Sequence, residues 1–256
     1  MKIASFNVNG LRARLPIVLD WLVKNSPDVL CVQETKVQDS EFPVDAFAES
    51  GYSIVFSGEK KYNGVAIFSR AEMSGVEKGF EDEPKDMSRL IKARMGEVTI
   101  VNTYVPQGYM TESEQYEYKL KWFGRLREYF ESNFKPSGKI IWVGDMNVAP
   151  EERDVYDPAG LAGHVCFNEE VSSALSSVCE WGFADLFRQF EQGGGHYTFW
   201  DYRMRGSFSR NLGWRLDHIM VTKSLAAKCR RCYIDKDPRF AERPSDHTPI
   251  VAEFEI

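Results

Sequence analysis

Glu34 in "VLCVQETK", Asp145 and Asn147 in "WVGDMNVAP", Asp217 in "GWRLDHI", and Asp246 and His247 in "PSDHTPI" share a setting. Each stands beside a short apolar run, at the point where a strand should start or stop. Asn7 and Asn9 follow the first such run, and Tyr104 ends "IVNTY". Four carboxylates gathered in one pocket repel one another unless a cation lies among them. Oxygen-rich ligand sets that keep some water favour Mg2+, with Mn2+ as the alternative, over zinc. A hard cation beside a histidine that can act as acid or base suits hydrolysis of a phosphate ester. Asp145 and Asn147 are two residues apart on what reads as an extended segment, which places them on one side, about 6–7 Å apart along the chain. A carboxylate to take a proton from water and an amide to hold that water would then sit together.

These residues need elements to carry them. Short apolar runs bounded by polar residues predict strands over 3–8, 29–33, 52–57, 65–69, 90–95, 98–104, 197–202, 216–221, 231–235 and 250–254. The run "IIWV" at 140–143 reads as a strand buried on both faces, broken at Gly144. Leu15, Val18, Leu19 and Leu22 carry helical spacing over 12–24; further helices are expected over 113–134, 169–181 and 184–190, the first capped by Ser113 or Thr111. Strands outnumber helices and come in antiparallel-looking pairs, with no βαβ alternation. The expectation is an α/β (α+β) chain forming a four-layered sandwich: two mixed, mainly antiparallel β-sheets packed face to face, helices on both outer faces. In such a sandwich strand ends from both sheets meet along one rim. With no repeats and no linker, residues 1–256 read as a single domain.

Composition narrows the class. Apolar residues make up 43% of the 256, enough for a sizeable core. No run has the length of a membrane span, and "MKIASFNVNG" lacks the apolar core of a secretory signal, so a soluble protein of the cytoplasm or nucleoid, not bound to membrane, is expected. Five cysteines without framework spacing argue against disulfides, and the lone "CRRC" at Cys229–Cys232 has no second pair with which to make a metal site. The net charge of −6 argues mildly against a polyanionic partner. Two basic clusters point the other way: Arg203, Arg205, Arg210 and Arg215, and Lys119, Lys121, Arg125 and Arg127.

Taken together, "FNVNGLRA", "VLCVQETK", "NTYVPQG", "WVGDMNVAPEE", "YTFWDYR", "GWRLDHI" and "PSDHTPI", in this order from residue 6 to residue 250, resemble the signatures of the exonuclease III family of abasic-site (AP) endonucleases. That family lies within the metal-dependent endonuclease/exonuclease/phosphatase superfamily. The resemblance implies a Mg2+-dependent enzyme of base excision repair, acting as a monomer on double-stranded DNA. It would cut 5′ of an abasic site to leave a 3′-hydroxyl, and would also process blocked 3′ ends. It implies Glu34 as the principal metal ligand, with Asn7 and Asp246 close by. Asp145 would activate or orient water, and Asn147 would orient Asp145 or contact phosphate. His247, held by Asp217, would hydrogen-bond the scissile phosphate, and Tyr104 would join in stabilising the phosphorane. Phe199, Trp214 and Leu216 would line a small apolar pocket for a flipped, baseless sugar. Arg203 would insert into the duplex, Tyr109 or Met110 would enter from the other groove, and Tyr62 and Arg12 would touch backbone.

Departures are also visible. The segment "RDVYDPAGLAGHVCF" offers Leu161 and His164 where some relatives present asparagines, and Asn9 stands where some have an acid. Two other readings compete. A non-catalytic nucleic-acid-binding regulator on the same fold should have lost the metal and phosphate residues, which are all present here. A hydrolase of lipid or small-molecule phosphates is disfavoured by "GWRLDH", "YTFW" and the arginine cluster. With four acids belonging to the metal site and the two basic clusters flanking it in sequence, phosphate contacts should be few and local and the salt dependence of DNA binding modest.

Overall fold

Residues 1–256 are described by a computed structural model with twelve strands: β1 (Lys2–Asn7), β2 (Val29–Gln33), β3 (Ser53–Ser57), β4 (Val65–Ser69), β5 (Ser74–Lys78), β6 (Leu90–Met95), β7 (Val98–Tyr104), β8 (Ile140–Asp145), β9 (Phe183–Asp185), β10 (Asp217–Thr222), β11 (Cys229–Ile234) and β12 (Ile250–Phe254). They form two six-stranded sheets, ordered β11-β12-β1-β2-β4-β3 and β5-β6-β7-β8-β10-β9. Period-two alternation decides which side chains go where. In β2, Val29 and Cys31 face the opposite sheet, while Leu30 and Val32 face the outer layer. Ile3, Ile67, Ile100, Ile141, Val143, Ile219 and Ile250 fill the space between the sheets, all fully buried. Each such side chain contributes about 1.5–3 kcal/mol relative to an exposed one.

Helix α1 (Leu11–Asn25) covers the outer face of the first sheet through Leu11, Val18, Trp21 and Leu22. Helix α2 (Glu114–Asn133), capped by Ser113 Oγ accepting from the Tyr116 N–H at 3.2 Å, covers the second sheet together with the helix Glu169–Cys179. The layers are therefore helix, sheet, sheet, helix, the expected four-layered sandwich.

The mainly antiparallel pairing conceals two crossovers. β1 and β2 are parallel and joined through α1; β7 and β8 are parallel and joined through α2. Each parallel pair is flanked by antiparallel partners: β12 and β4 in one sheet, β6 and β10 in the other. The two sheets thus repeat one topology with no internal sequence repeat. Both crossovers turn the C-terminal ends of the central strands toward the same rim. A buried polar link fixes the two sheets in register just below it. Asn102 of β7 donates to the carbonyls of Val32 and Ala66 at 3.0 and 2.9 Å, and Gln33 Nε2 donates to Asn102 Oδ1 and Ser5 Oγ at 2.6 and 3.0 Å. Because buried amides are costly when unpaired, this link penalises sliding of one sheet over the other.

The expected strand over 197–202 does not form. Phe199 makes only isolated bridges to Trp214 and His247. The segment expected as helix from 184 begins as the short strand β9 and becomes helical over Leu186–Phe190. The basic run of α2 is not a free polyanion surface. Lys119 is fully buried, Arg125 pairs with Asp82 and Asp86, and Arg127 with Glu131.

Candidate active site

The rim assembles its groups from both sheets. β1 ends at Asn7 and β2 just before Glu34; β7 ends at Tyr104 and β8 at Asp145; β10 begins at Asp217, and the segment before β12 brings Asp246 and His247. Gly144 makes the delivery of Asp145 possible. At φ +142° it lets β8 lie against β7, where a Cβ would come 1.9 Å from the Thr103 carbonyl oxygen.

Asn7 Nδ2 donates to Glu34 Oε1 and to Asp145 Oδ2, both at 2.8 Å. Glu34 Oε2 pairs with Lys36 Nζ at 2.7 Å. His247 Nδ1 lies 2.7 Å from Asp217 Oδ2, and its Nε2 faces Asp145 Oδ2 at 3.8 Å. Oxygen or nitrogen atoms of Glu34, Asp145 and His247 all fall within 4.8 Å of one another. Asp246 is set slightly apart, accepting from Asn9 Nδ2 at 2.9 Å. Thr198 Oγ1 accepts the Leu216 and Asp217 N–H groups at 3.0 and 3.1 Å, which anchors the start of β10.

Asn147 does not lie on an extended segment as the spacing suggested. It sits at φ +50°, in the left-handed region that Asn tolerates. Its N–H donates to Asp145 Oδ1 at 2.9 Å, an Asx turn, and its side-chain amide donates to the Val105 carbonyl at 2.9 Å. The turn, rather than the pleat, brings Asp145 and Asn147 to one place. Glu34 also has φ +50°, so two of the site's residues hold uncommon backbone geometry.

Electrostatics follow from burial and crowding. Burial pushes the Asp145 carboxyl up to about 7, with Asp217 and Glu34 pushing the same way and His247 opposing. For His247 burial works downward, but Asp217 and Asp145 outweigh it and raise the imidazole to about 10, so the ring is cationic at neutral pH. Burial would raise Glu34; Lys36 and Asn7 overcome it and hold the carboxyl below the usual range. Tyr104 is driven upward by burial and by Glu34 and Asp145, so its hydroxyl keeps its proton. Arg89 stacks over the Tyr104 ring at 5.0 Å.

The cavity here is about 410 Å3 and is lined by Glu34, Tyr104, Tyr109, Asp145, Asn147, His164, Phe199, Arg203, Trp214, Leu216, Asp246 and His247, among others. Phe199 lies 4.9 Å from the His247 ring, and the His164 ring lies tilted against Trp214 at 4.7 Å. Arg203 is highly exposed at the mouth and pairs with Asp201 at 2.7 Å. Three of the expected contact residues are outside the cavity lining: Arg12, on α1, pairs with Glu41 at 3.1 Å, and Tyr62 and Met110 are exposed on their loops. Of the metal set expected with Glu34, Asn7 presents its NH2 to the carboxylates and Asp246 stands apart, so Asp145 is the nearer oxygen donor. Arg215 is not at the surface. It is fully buried on Asp154 at 2.6 Å and Asp185 at 2.8 Å. Lys36, Asp201 and Thr198 were not singled out by sequence reasoning. Lys36 and Asp201 lie inside the quoted motifs "QETK" and "FWDY", where the adjoining charges were the available signal.

The match to the Endonuclease/Exonuclease/phosphatase family model runs over residues 4–247. The chain belongs to that family. A solved structure described as an AP endonuclease from Archaeoglobus fulgidus superposes with a TM-score of 0.98 at 49% identity, covering 100% of both chains. A 3′ phosphatase from Neisseria, solved with a product DNA hairpin, superposes with a TM-score of 0.94 at 37% identity, again over both whole chains. Exodeoxyribonuclease III of Haemophilus influenzae is 34% identical over 99% of this chain and 100% of its own length. Residues Asn7 to His247 of the rim all fall within the matched span of this family.

The donor set fits the divalent cation on which nucleases of this family depend. Glu34 and Asp145 offer hard carboxylate oxygens on a common Asn7 amide, and Asp246 lines the same cavity. No thiolate is among them, and His247 is held protonated by Asp217 and Asp145. Four carboxylates stand against Lys36 and His247, leaving negative charge for a cation to balance. No helix of the chain is long and apolar enough to cross a membrane.

Proposed function

We propose that this chain is a Mg2+-dependent AP endonuclease that hydrolyses the DNA phosphodiester 5′ of an abasic site to leave a 3′-hydroxyl. The same site would support 3′→5′ exonuclease and 3′-phosphodiesterase action. One observation carries this reading: Glu34, Asp145 and His247 converge within 4.8 Å at a cavity whose other wall is Phe199, Trp214 and Leu216. Phosphate chemistry and a small apolar recess for a sugar therefore adjoin.

Glu34 and Asp145, with Asp246 nearby, would hold the divalent ion. Bound there, it supplies Lewis-acid stabilisation of phosphate charge. The remaining chemistry falls to the chain. His247, kept charged and oriented by Asp217, donates from Nε2 to a non-bridging phosphate oxygen. Asp145, kept ionised by the cation beside it, can accept a proton from the attacking water. Asn147, fixed on both its N–H and its amide, orients Asp145 and has one remaining amide N–H to donate to the phosphate. Tyr104 contributes a protonated hydroxyl. Phe199, Trp214 and Leu216 receive the sugar most cheaply where no base is stacked. Arg203 and Tyr109, at the mouth, are placed to meet the duplex; Tyr62 and Arg12 would reach only more distant backbone.

A duplex carrying one tetrahydrofuran abasic analogue tests this directly. Mg2+ should give a single nick 5′ of the analogue and EDTA should abolish it. His247→Asn and Asp145→Asn should each lower kcat by ~10²–10³. An intact duplex after incubation with Mg2+ would sink the reading.

A specific observation favours 3′-end processing as the faster activity. The His164 ring, tilted against Trp214 at 4.7 Å, lines the recess where a flipped sugar would have to enter. Comparing 3′-phosphate removal with abasic incision, in the wild type and in His164→Ala, separates the two. If His164 limits entry, its truncation raises incision relative to 3′ processing; an unchanged ratio removes it as a selector.

A further inference from the structure

Lys119 lies on the core-facing stripe of α2 with Tyr116, Phe123, Leu126 and Phe130, and its exposure is 0%. A lysine this deep normally has a carboxylate partner or loses its proton. Lys119 has no carboxylate within hydrogen-bond reach. Its ammonium donates to three main-chain carbonyls instead: Asn147 at 2.7 Å, Val165 at 2.7 Å and Gln107 at 3.1 Å. Those three bonds match its three protons, with Cys166 Sγ a longer contact at 3.8 Å. Burial lowers its pKa below the ordinary lysine value, and Cys166 and Asp145 act against that.

The three carbonyls belong to three separate loops: the one between β7 and α2, the one after β8, and the one carrying His164 and Cys166. All three loops line the cavity. At Asn147 the bond fixes the last main-chain polar group of a residue already in the left-handed region, so the peptide cannot rotate. Its side-chain amide is thereby aimed, because Val105 and Asp145 hold its other contacts.

We propose that Lys119 is a positioning residue for phosphodiester hydrolysis: a buried ammonium that ties the Gln107, Asn147 and Val165 loops into the reactive arrangement and sets a fixed positive charge behind the phosphate, without touching DNA. The proposal rests on the nuclease reading above. It assigns a local cause to the geometry of Asn147, which neither Asp145 nor Val105 alone determines. It also explains why the one lysine of this basic run that packs inward does so with no acid: a carboxylate there would cancel the charge the phosphate is meant to feel.

The test uses the full chain with Mg2+ and two substrates, the abasic duplex and the small diester bis(p-nitrophenyl) phosphate. Lys119→Met keeps the length of the side chain and removes charge and bonds. Lys119→Arg keeps charge, but its planar fork cannot serve the three-carbonyl tripod. Lys121→Met, two residues on and exposed, is the control. Rates are normalised to the fraction of protein that is folded, from far-UV circular dichroism. Lys119→Met should lose about 10²-fold in kcat on both substrates, with KM on the duplex within about threefold of wild type. Lys119→Arg should lose about tenfold in kcat. The salt slope of duplex binding should be unchanged, whereas loss of a phosphate contact would lower it by ~1.

Wild-type kcat in folded Lys119→Met overturns the proposal. So does wild-type kcat in Lys119→Arg, which decides the matter alone if the methionine variant does not fold. A lower salt slope with raised KM would make Lys119 a DNA contact. A loss confined to the duplex would make it a support of the sugar recess; both refute the proposal. A wild type inert on both substrates would sink the nuclease reading itself, before any substitution is compared.

Discussion

Asp154 and Asp145 are equally buried, at 0% and 1% exposure, yet they titrate in opposite directions. Burial would raise both. At Asp154, Arg215 and Arg188 overcome it and hold the carboxyl below its usual range. At Asp145 His247 and the Asn147 N–H oppose burial but do not overcome it, and the group rises to about 7. The first belongs to a closed set in which Arg188 and Arg215 face Asp154 and Asp185, two charges against two. The second belongs to the rim, where four carboxylates face Lys36, His247 and, from behind, Lys119, still one charge short. The two clusters meet at His218. Arg215 can only donate, so Nδ1 of His218 accepts it at 2.9 Å, and its Nε2–H is left for the Val148 carbonyl at 2.8 Å, one residue beyond Asn147. A compensated cluster supports the floor of an uncompensated one. The comparison teaches that depth alone does not mark a functional carboxylate; what marks it is depth without a matching cation from the chain itself.

The largest effect expected from this contrast is on stability. Arg215→Met leaves Asp154 and Asp185 buried without their shared partner and should cost about 3–5 kcal/mol. Urea denaturation in EDTA measures it. The same chemical change in the two clusters should also differ in sign. Asp154→Asn removes a matched charge and should destabilise, while Asp145→Asn removes an unmatched one and should leave stability unchanged or raised. Equal destabilisation by both would dissolve the distinction between the clusters.

Next in size is the effect of the cation. If the rim is a site awaiting positive charge, Mg2+ stabilises the native chain by mass action, about 2.7 kcal/mol at a hundredfold excess over Kd. Thermal melting with Mg2+ against EDTA reads this as a rise in Tm. Glu34→Gln should abolish the rise, and Asp154→Asn should keep it. A rise that survives Glu34→Gln would place the binding elsewhere.

Much of the rim was legible because its residues follow runs buried on both faces. "VLCVQ" and "IIWV" have no polar side, so the first polar residue after each marks a strand end, and Glu34 and Asp145 stood out. The hairpin of β6 and β7 was read to the residue, its Gly96-Glu97 turn being unambiguous. β5 was invisible, because "SGVEK" is a charged edge strand with no apolar alternation. Residues 197–202 have strand composition for another reason: Phe199 lines the cavity and Trp200 packs on Phe208, so the apolar side chains serve the site and its support rather than a ladder. The parallel crossovers were hidden because each uses one strand pair within otherwise antiparallel sheets. Lys119 was misread as part of a basic surface, although its spacing from Tyr116, Phe123 and Leu126 already placed it on the apolar stripe. Arg215 was likewise counted with exposed arginines. Sequence gave its charge but not the two aspartates, Asp154 and Asp185, that wait for it from distant elements.

The smallest effect is the most discriminating, because the two clusters must give pH slopes of opposite sign. Asp145 has a folded pKa of about 7 against 3.8 for the free side chain. Between those values the native chain keeps a proton that the unfolded chain has released. Stability in EDTA therefore falls as pH rises through this window, by at most about 1.4 kcal/mol per pH unit. Asp154 is depressed, so its contribution is present above the ordinary aspartate pKa and is lost as pH falls through the lower folded value. His247, raised from 6.5 to about 10, adds stability that is complete below 6.5 and disappears as pH climbs through 10. Between pH 6 and 7 Asp145 and His247 both draw stability down as pH rises, while His164, depressed by burial, works the other way; Asp145→Asn should make the wild-type decline in Tm shallower while Asp154→Asn leaves its slope intact. Saturating Mg2+ should make it shallower too, since a bound cation keeps Asp145 ionised. A decline that persists unchanged in Asp145→Asn would mean that the proton belongs to another group, and that the rim is less short of positive charge than its geometry implies.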